Sequence, residues 1–162
     1  MNPYAYEPEW VADRVDVAGY PLAFWTDASI YVAGRRAGLA VVAEEGGRYV
    51  LDDAMTVERC SDPTQAEYLA IVMAQRLVTF LSSEEIAQAC IVTDNQGALA
   101  LWHDVVSGNR GVPVFFTSPR RPRPRSYWLA HHLSQWASGV KHPKEPRPRP
   151  EWFFNDDRAR TR

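Results

Sequence analysis

The sequence predicts an α/β domain in which three strands precede an alternation of helices and strands. From Leu22 to Cys60 the chain is rich in strand-forming residues interrupted by turn residues, whereas from Ser61 onward helical periodicity alternates with short apolar runs. The chain has 162 residues, of which 46% are hydrophobic and 23% are charged. This size and composition suit one soluble globular domain with its own core.

Three segments with strand-like composition open the predicted domain. The first begins at Leu22, and the turn residues Gly46 and Gly47 separate the second from the third. Because strands joined by short turns pair antiparallel, we expect a three-stranded meander. The three segments are LAFWTDAS, AGLAVVAEE and RYVLDDAMTVERC.

Helices and shorter strands alternate in the second half of the chain. Asp62 followed by Pro63 predicts a helix start, because an aspartate can cap the first turn and proline is tolerated within it. Gly108 and Gly139 predict the ends of the last two helices. The predicted order is helix TQAEYLAIVMAQRLVTFL, helical turn SSEEIAQA, strand CIVTD, helix NQGALALWHDVVSG, strand VPVFFTS and helix SYWLAHHLSQWASG.

Composition divides the chain into an extended N-terminal arm at 1–21, a domain at 22–139 and a basic tail rich in Pro and Arg at 140–162. Seven basic and 16 acidic residues precede Pro119, whereas 11 basic and 4 acidic residues lie from Pro119 onward, so an acidic body carries a basic end. In the segments SPRRPRPRS and KHPKEPRPRPEW, alternating prolines forbid a helix and leave each guanidinium in solvent. Alternatively, the aromatic residues at 152–154 hold the tail on the domain.

The composition also excludes several classes of protein. Only Cys60 and Cys90 are present, too few for a disulfide scaffold and without a metal-ligand spacing. We therefore expect a reducing, cytoplasmic location. The sequence has neither a secretory signal nor a run of roughly 20 apolar residues, so we expect no membrane partner.

Three acidic residues stand where a metal site can form. Asp27 and Asp94 each follow an apolar, strand-like run and a threonine, at the edge where mixed sheets bind ligands. Glu67 lies in the predicted first turn of the long helix, on the row that continues through the apolar residues Ile71, Ala74, Val78 and Leu81. If the two strands are neighbours and the helix crosses them, the three carboxylates converge. Crowded carboxylates need a shared cation, and oxygen ligands suit Mg²⁺ or Mn²⁺.

Each acid also has a structural interpretation. Asp94 can cap the helix that begins near Asn95. Glu67 can interact favourably with the helix dipole. Asp27 has no helix to cap, because the meander continues past it. The order and spacing of the three acids therefore favour a shared function.

The segments FWTDAS, AEYLAIVMAQRL and IVTDNQGAL resemble the first-strand, first-helix and fourth-strand motifs of type 1 ribonuclease H, within a similarity from Leu22 to Ala137. The resemblance implies a ribonuclease H-like fold with a five-stranded mixed sheet, three strands antiparallel and then parallel strands, flanked by helices. It also implies two Mg²⁺ ions held by Asp27, Glu67 and Asp94, with Mn²⁺ as an alternative. The implied reaction is hydrolysis of the RNA strand of an RNA/DNA hybrid, which makes the hybrid the expected partner.

The chain departs from the family's pattern at three places near the expected site, one of which is Thr64 and Gln65, where the family often has threonine and asparagine. His131 stands where the family often has a fourth aspartate, and we expect it to act in catalysis as a proton relay. The loop before the last helix holds arginines in place of the family's histidine, and these are expected to bind phosphates. The expected nucleic-acid contacts are Ser29, Thr64, Gln65, Asn95, Arg120, Arg121, Arg123 and Arg125.

Two other functions fit the same pattern. The missing fourth acid and the Pro-Arg segments are compatible with a non-catalytic nucleic-acid-binding module on the same fold. Related folds with similar acids also occur in metal nucleases that act on DNA. Neither alternative changes the predicted fold.

Overall fold

A computed structural model describes residues 19–105, 111–118, 123–140 and 145–154. Most of the predicted arm, much of the predicted tail, the predicted helix end at Gly108, and Arg120 and Arg121 lie outside these ranges. The division into arm, domain and tail therefore stays a prediction.

Strands and helices follow each other in the order predicted from the sequence. The three strands of the meander are the longest, and the short helical turn SSEEIAQA contains a separate helix. The elements are β1 (Leu22–Tyr31), β2 (Arg36–Glu45), β3 (Arg48–Glu58), α1 (Pro63–Val78), α2 (Ser83–Ala87), β4 (Ala89–Thr93), α3 (Gln96–Val105), β5 (Val114–Phe116) and α4 (Arg125–Ser138).

The five strands form one mixed sheet in the order β3-β2-β1-β4-β5. β1 pairs antiparallel with β2, and β2 pairs antiparallel with β3. β4 pairs parallel with both β1 and β5. The predicted ribonuclease H-like fold, with an antiparallel meander followed by parallel strands, is confirmed.

Helices cover both faces of this sheet. On one face, Phe24 and Val41 pack with α1 residues such as Ile71 and with Ala98 of α3. On the other face, Val42 packs with Leu133 of α4. β2 and β4 are thus buried on both faces, which accounts for their largely apolar sequences, whereas the edge strand β3 is partly exposed.

Gly38 allows α4 to approach the sheet closely. It is the cross-strand partner of Ser29, and a Cβ atom at this position would overlap with the backbone of Ser134 and Ser138. Only glycine leaves room for this contact between helix and strand. The contact holds α4 close against β2, at the level of Ser29 in β1.

The helix boundaries follow the predicted local chemistry. The Asp62 side chain caps α1 by accepting a hydrogen bond from the Thr64 N–H at 3.0 Å, and Pro63 is the first helical residue. Gly139 ends α4 in the left-handed conformation, with φ of 82°. The interpretation of Glu67 as a first-turn acid is wrong, because Glu67 is the fifth residue of a helix that has no acid in its first turn.

Residues 145–154 pack against β2, β3 and α4. Phe153 and Phe154 are buried against Val42 and α4, and the Arg147 guanidinium lies 2.6 Å from the Asp52 carboxylate of β3. Arg147 is exposed, as expected, but its guanidinium is paired with a carboxylate of the sheet. Within the described ranges, no helix combines the length and the apolar character needed to cross a membrane.

Candidate active site

Three different elements carry the candidate ligands. Asp27 lies in β1, Glu67 lies one turn into α1, and Asp94 directly follows β4. β1 continues for four residues beyond Asp27, two residues further than the predicted segment LAFWTDAS. Its parallel pairing with β4 nevertheless stops at Trp25 and Val92, so Asp27 lies just beyond the parallel-paired part of β1.

The structure brings the three carboxylates together. One oxygen from each of Asp27, Glu67 and Asp94 lies within 4.8 Å of the other two. Asp27 and Glu67 are buried, and Asp94 is partly buried. We call these three residues the acidic cluster.

Glu67 has the most strongly perturbed carboxyl group of the acidic cluster. Burial, together with the nearby charges of Asp27 and Asp94, raises the pKa of Glu67 to about 10. Its Oε1 accepts a hydrogen bond from the Ala28 N–H at 3.2 Å. Its Oε2 is buried and accepts no hydrogen bond from any described residue. An ionised Glu67 therefore needs a cation that the described side chains do not supply.

α4 provides the partners of Asp27. The Ser134 hydroxyl donates to Asp27 Oδ2 at 2.8 Å, and His131 Nδ1 lies 3.2 Å from the same oxygen. The other ring nitrogen of His131, Nε2, lies 3.2 Å from the Gln135 amide nitrogen. His131, the predicted proton relay, therefore contacts the acidic cluster, and its side chain is partly exposed to solvent.

Asp94 is held from the other end of α4. The Tyr127 hydroxyl donates to Asp94 Oδ2 at 3.2 Å, and the Arg123 guanidinium lies 3.4 Å from the same oxygen. Burial and the charge of Asp27 raise the pKa of Asp94, while Arg123 opposes the rise. Burial likewise raises the pKa of Tyr127, so its hydroxyl remains a donor at neutral pH.

The capping interpretation of Asp94 is wrong. Asn95 occupies the capping position of α3, because its Oδ1 accepts a hydrogen bond from the Ala98 N–H at 2.7 Å. The Asp94 carboxylate therefore remains available to the acidic cluster.

Four of the expected nucleic-acid contacts lie on the elements that carry the acidic cluster. Ser29 is partly buried on β1, and Asn95 is partly buried at the start of α3. Thr64 and Gln65 lie in the first turn of α1, with Gln65 exposed. A Cβ atom added at Gly97 would come within 3.1 Å of the Thr64 methyl group, which places the starts of α1 and α3 side by side.

The Pro-Arg segment before α4 differs from its expected solvent-exposed form. Arg125 is buried, with 7% of its surface exposed, and the Arg123 side chain is only 12% exposed. The expectation that alternating prolines leave each guanidinium in solvent is therefore wrong for both. Local sequence could not indicate this, because Asp94 lies 29 residues before Arg123.

The sequence reasoning also missed Tyr127 and Ser134. Tyr127 lies four residues before His131 on α4, and Ser134 lies three residues after it, so helical spacing places all three on adjacent turns. That spacing was the available signal. The spacing indicates a shared site only when it is known that α4 packs against Asp27 and Asp94.

The acidic cluster fits a divalent cation. Its donors are all oxygens, the chemistry that Mg²⁺ and Mn²⁺ prefer. The unpartnered buried oxygen of Glu67 lies among them. The cluster has the composition and spacing to hold at least one ion.

Comparison with known proteins supports the fold alone. No family model matches the chain, and no curated protein matches it. Among solved structures, LC11-RNase H1, isolated from compost by a metagenomic approach, is similar with a TM-score of 0.56 and 13% identity, covering 75% of this chain and 97% of that chain. LC11-RNase H1 in complex with an RNA/DNA hybrid has a TM-score of 0.49 and 11% identity, covering 62% of this chain and 88% of that chain. The resemblance to ribonuclease H in the sequence is thus confirmed at the level of fold.

Proposed function

We propose that this chain, which has the ribonuclease H-like fold, is a metal-dependent endoribonuclease that hydrolyses the RNA strand of RNA/DNA hybrids. The observation that carries the proposal is the convergence of three carboxylates from β1, α1 and the end of β4 within 4.8 Å. The similarity in fold to a protein named RNase H1 supports the choice of substrate. Two free, buried cysteines support a cytoplasmic location.

The acidic cluster would hold two Mg²⁺ ions, with Mn²⁺ as an alternative. When bound, such ions would supply the activation of water and the stabilisation of the leaving oxygen of a phosphodiester. The protein contributes the orientation of the ligands. Each carboxylate is held by at least one hydrogen bond, from the Ala28 N–H to Glu67, from Ser134 to Asp27 and from Tyr127 to Asp94.

His131 is proposed to move protons at the edge of the site. Its Nδ1 lies beside Asp27 Oδ2, while about a third of its side chain is exposed to solvent. A histidine in this position can exchange protons between the reacting groups and water near neutral pH. His131 would thus take the place of the fourth aspartate of the family pattern without supplying its negative charge.

Substrate binding is proposed to involve the surface around the acidic cluster. Thr64 and Gln65 in α1, Asn95 at the start of α3 and Ser29 on β1 offer hydrogen-bonding groups suited to 2'-hydroxyls and base edges. Arg120 and Arg121 belong to the proposed phosphate contacts and lie outside the described residues. Arg123 and Arg125 would have to leave their present contacts to bind a phosphate.

The direct test is a cleavage assay with matched variants. Labelled RNA/DNA hybrid, duplex DNA and duplex RNA are incubated with the protein in Mg²⁺, Mn²⁺ or EDTA. We expect cleavage of the hybrid in both metals and none in EDTA. Asp94→Asn should lower the rate at least about 100-fold, because the ligand loses its charge.

Asp104→Asn is the matched control, since Asp104 is exposed on α3 away from the site, and its rate should equal that of the parent protein. Inactivity on all three duplexes, or full activity of Asp94→Asn, would contradict the proposal. Preferential cleavage of duplex DNA would instead identify the related DNA nuclease.

The contact of Arg123 with Asp94 favours one alternative, a non-catalytic nucleic-acid-binding module. In such a module the Arg123 guanidinium would supply part of the positive charge that metal ions supply in a nuclease. A binder would retain hybrid affinity in EDTA and would show no cleavage in either metal. Removal of residues 155–162 tests whether Arg158, Arg160 and Arg162 carry that affinity and its salt dependence.

A further inference from the structure

Arg123 lies against the acidic cluster. Its guanidinium is 3.4 Å from Asp94 Oδ2 and stacks over the Tyr127 ring, with Cζ 4.1 Å from the ring centroid. Only 12% of its side chain is exposed. These contacts make Arg123 the closest described cation to Asp94.

Rigid neighbours hold this arginine in place. Pro124 occupies the N-cap position of α4 with φ of −73° and ψ of 168°, and a residue that precedes proline is restricted to extended backbone. Tyr127 is the third residue of α4, and its ring packs edge-on against Trp25 with centroids 6.4 Å apart. Arg123 and Tyr127 therefore approach the same Asp94 oxygen from positions that their neighbours restrict.

A guanidinium in this position opposes the binding of a divalent ion. Both cations use the charge of Asp94, and two positive charges separated by only a few ångströms repel each other strongly in a partly buried site. A guanidinium also binds phosphate oxygens with two parallel hydrogen bonds. The backbone of a nucleic acid thus offers Arg123 an alternative anionic partner.

We infer that Arg123 is the internal counter-ion of Asp94, weakening ion binding in the free protein and transferring its contact to a backbone phosphate when nucleic acid binds. Ion binding and substrate binding then reinforce each other, because each removes an obstacle to the other. The inference rests on the proposed function of the acidic cluster. It makes Arg123 a positioning residue for Asp94 and a contact for the phosphate.

The first experiment measures Mn²⁺ binding without nucleic acid, from the electron paramagnetic resonance signal of free Mn²⁺. Arg123→Gln and Arg123→Met both remove the charge, and the methionine keeps an apolar stem over the Tyr127 ring if the glutamine variant does not fold. Each should bind Mn²⁺ about tenfold more tightly than the parent protein. Arg123→Lys keeps the charge and should stay within about twofold of the parent protein.

The matched control is Arg149→Gln. The Arg149 side chain is 65% exposed and its guanidinium lies 3.9 Å from Glu151, so loss of this charge should leave Mn²⁺ affinity unchanged. This variant separates a local effect at Asp94 from a general change in net charge.

The second experiment measures hybrid binding in EDTA at several salt concentrations. Arg123→Gln should bind the hybrid more weakly, and the slope of log affinity against log salt should fall by about one, as expected for one lost phosphate contact. An unchanged slope would overturn the phosphate part of the inference.

The outcomes separate this inference from the proposed function. Mn²⁺ that binds the parent protein and both charge-removing variants equally, or binds the variants more weakly, overturns the counter-ion role alone. Tightening by Arg123→Lys as large as that by Arg123→Gln also overturns it, because charge would not be the cause. Failure of the parent protein and of both charge-removing variants to bind Mn²⁺ overturns the proposed function together with the inference.

Discussion

Among the described residues, ionisation of Glu67 destabilises the folded protein most. Its pKa is raised from 4.5 to about 10 by burial and by its neighbours in the acidic cluster, so the folded protein holds a proton that the unfolded chain releases. Stability without divalent ions is therefore highest below pH 4.5 as far as this group is concerned, and it falls as pH rises toward 10.

The first prediction concerns Glu67→Gln in EDTA. Glutamine keeps the shape of the side chain and cannot ionise, so at pH 8 the variant should be more stable than the parent protein by about 2 kcal/mol. Urea unfolding between pH 5 and pH 9 measures this difference. The gain should vanish toward pH 5, and equal pH dependence of both proteins would contradict the assignment.

The motif predicted a role for His131, and the structure adds the contact through which that role would act. The sequence placed it where a fourth acid is expected, and the structure places its Nδ1 3.2 Å from Asp27 Oδ2. Tyr127 and Ser134 could not be assigned from the motif, because their partners depend on where α4 crosses the sheet. Their roles follow from tertiary packing.

At the scale of elements, the contact between α4 and β2 determines where His131 and Ser134 meet Asp27. Gly38 makes this contact possible, because a side chain there would meet the helix backbone at Ser134 and Ser138. A change at position 38 therefore affects both the core and the partners of the acidic cluster.

The second prediction is that Gly38→Ala destabilises the protein by about 3 kcal/mol, since the added methyl group must push α4 away from the sheet. Thermal unfolding measures the effect. Ser29→Ala, at the cross-strand partner of Gly38, removes an atom without adding bulk and should cost less than about 1 kcal/mol. Equal stability of Gly38→Ala and the parent protein would contradict the close packing of α4.

Most elements were predictable from the sequence because their signals are local. Asp62 and Pro63 determine the start of α1, and Gly139 determines the end of α4. The length of β1 was not predictable in this way. The segment LAFWTDAS stops at Ser29, whereas pairing with β2 carries β1 on to Tyr31, which faces Arg36.

At the scale of the whole molecule, the basic C-terminal part contributes to the body of the protein. Arg147 pairs with Asp52 of β3, and Phe153 is 3% exposed in the core beneath α4. The repeated Pro-Arg pattern gave no sign of the ion pair. The aromatic residues at 152–154 were the only local indication that this segment packs on the sheet.

The third prediction is that Phe153→Ala lowers the free energy of unfolding by about 3 kcal/mol, because it leaves a cavity beside α4. Arg149→Ala, at a largely exposed position in the same segment, should change stability by less than about 1 kcal/mol. Denaturant unfolding of both variants gives the comparison. A Phe153→Ala protein as stable as the parent would show that residues 145–154 are not part of the core.

The acidic cluster depends on the complete fold, because its candidate ligands come from separate elements that only the complete fold brings together. Its capacity to hold divalent ions is tested most directly by anomalous diffraction from crystals of the protein grown with Mn²⁺. The account predicts anomalous density between the carboxylates of Asp27, Glu67 and Asp94. Crystals of the parent protein and of Arg123→Gln that both show no density there, with Mn²⁺ in solution, would contradict it.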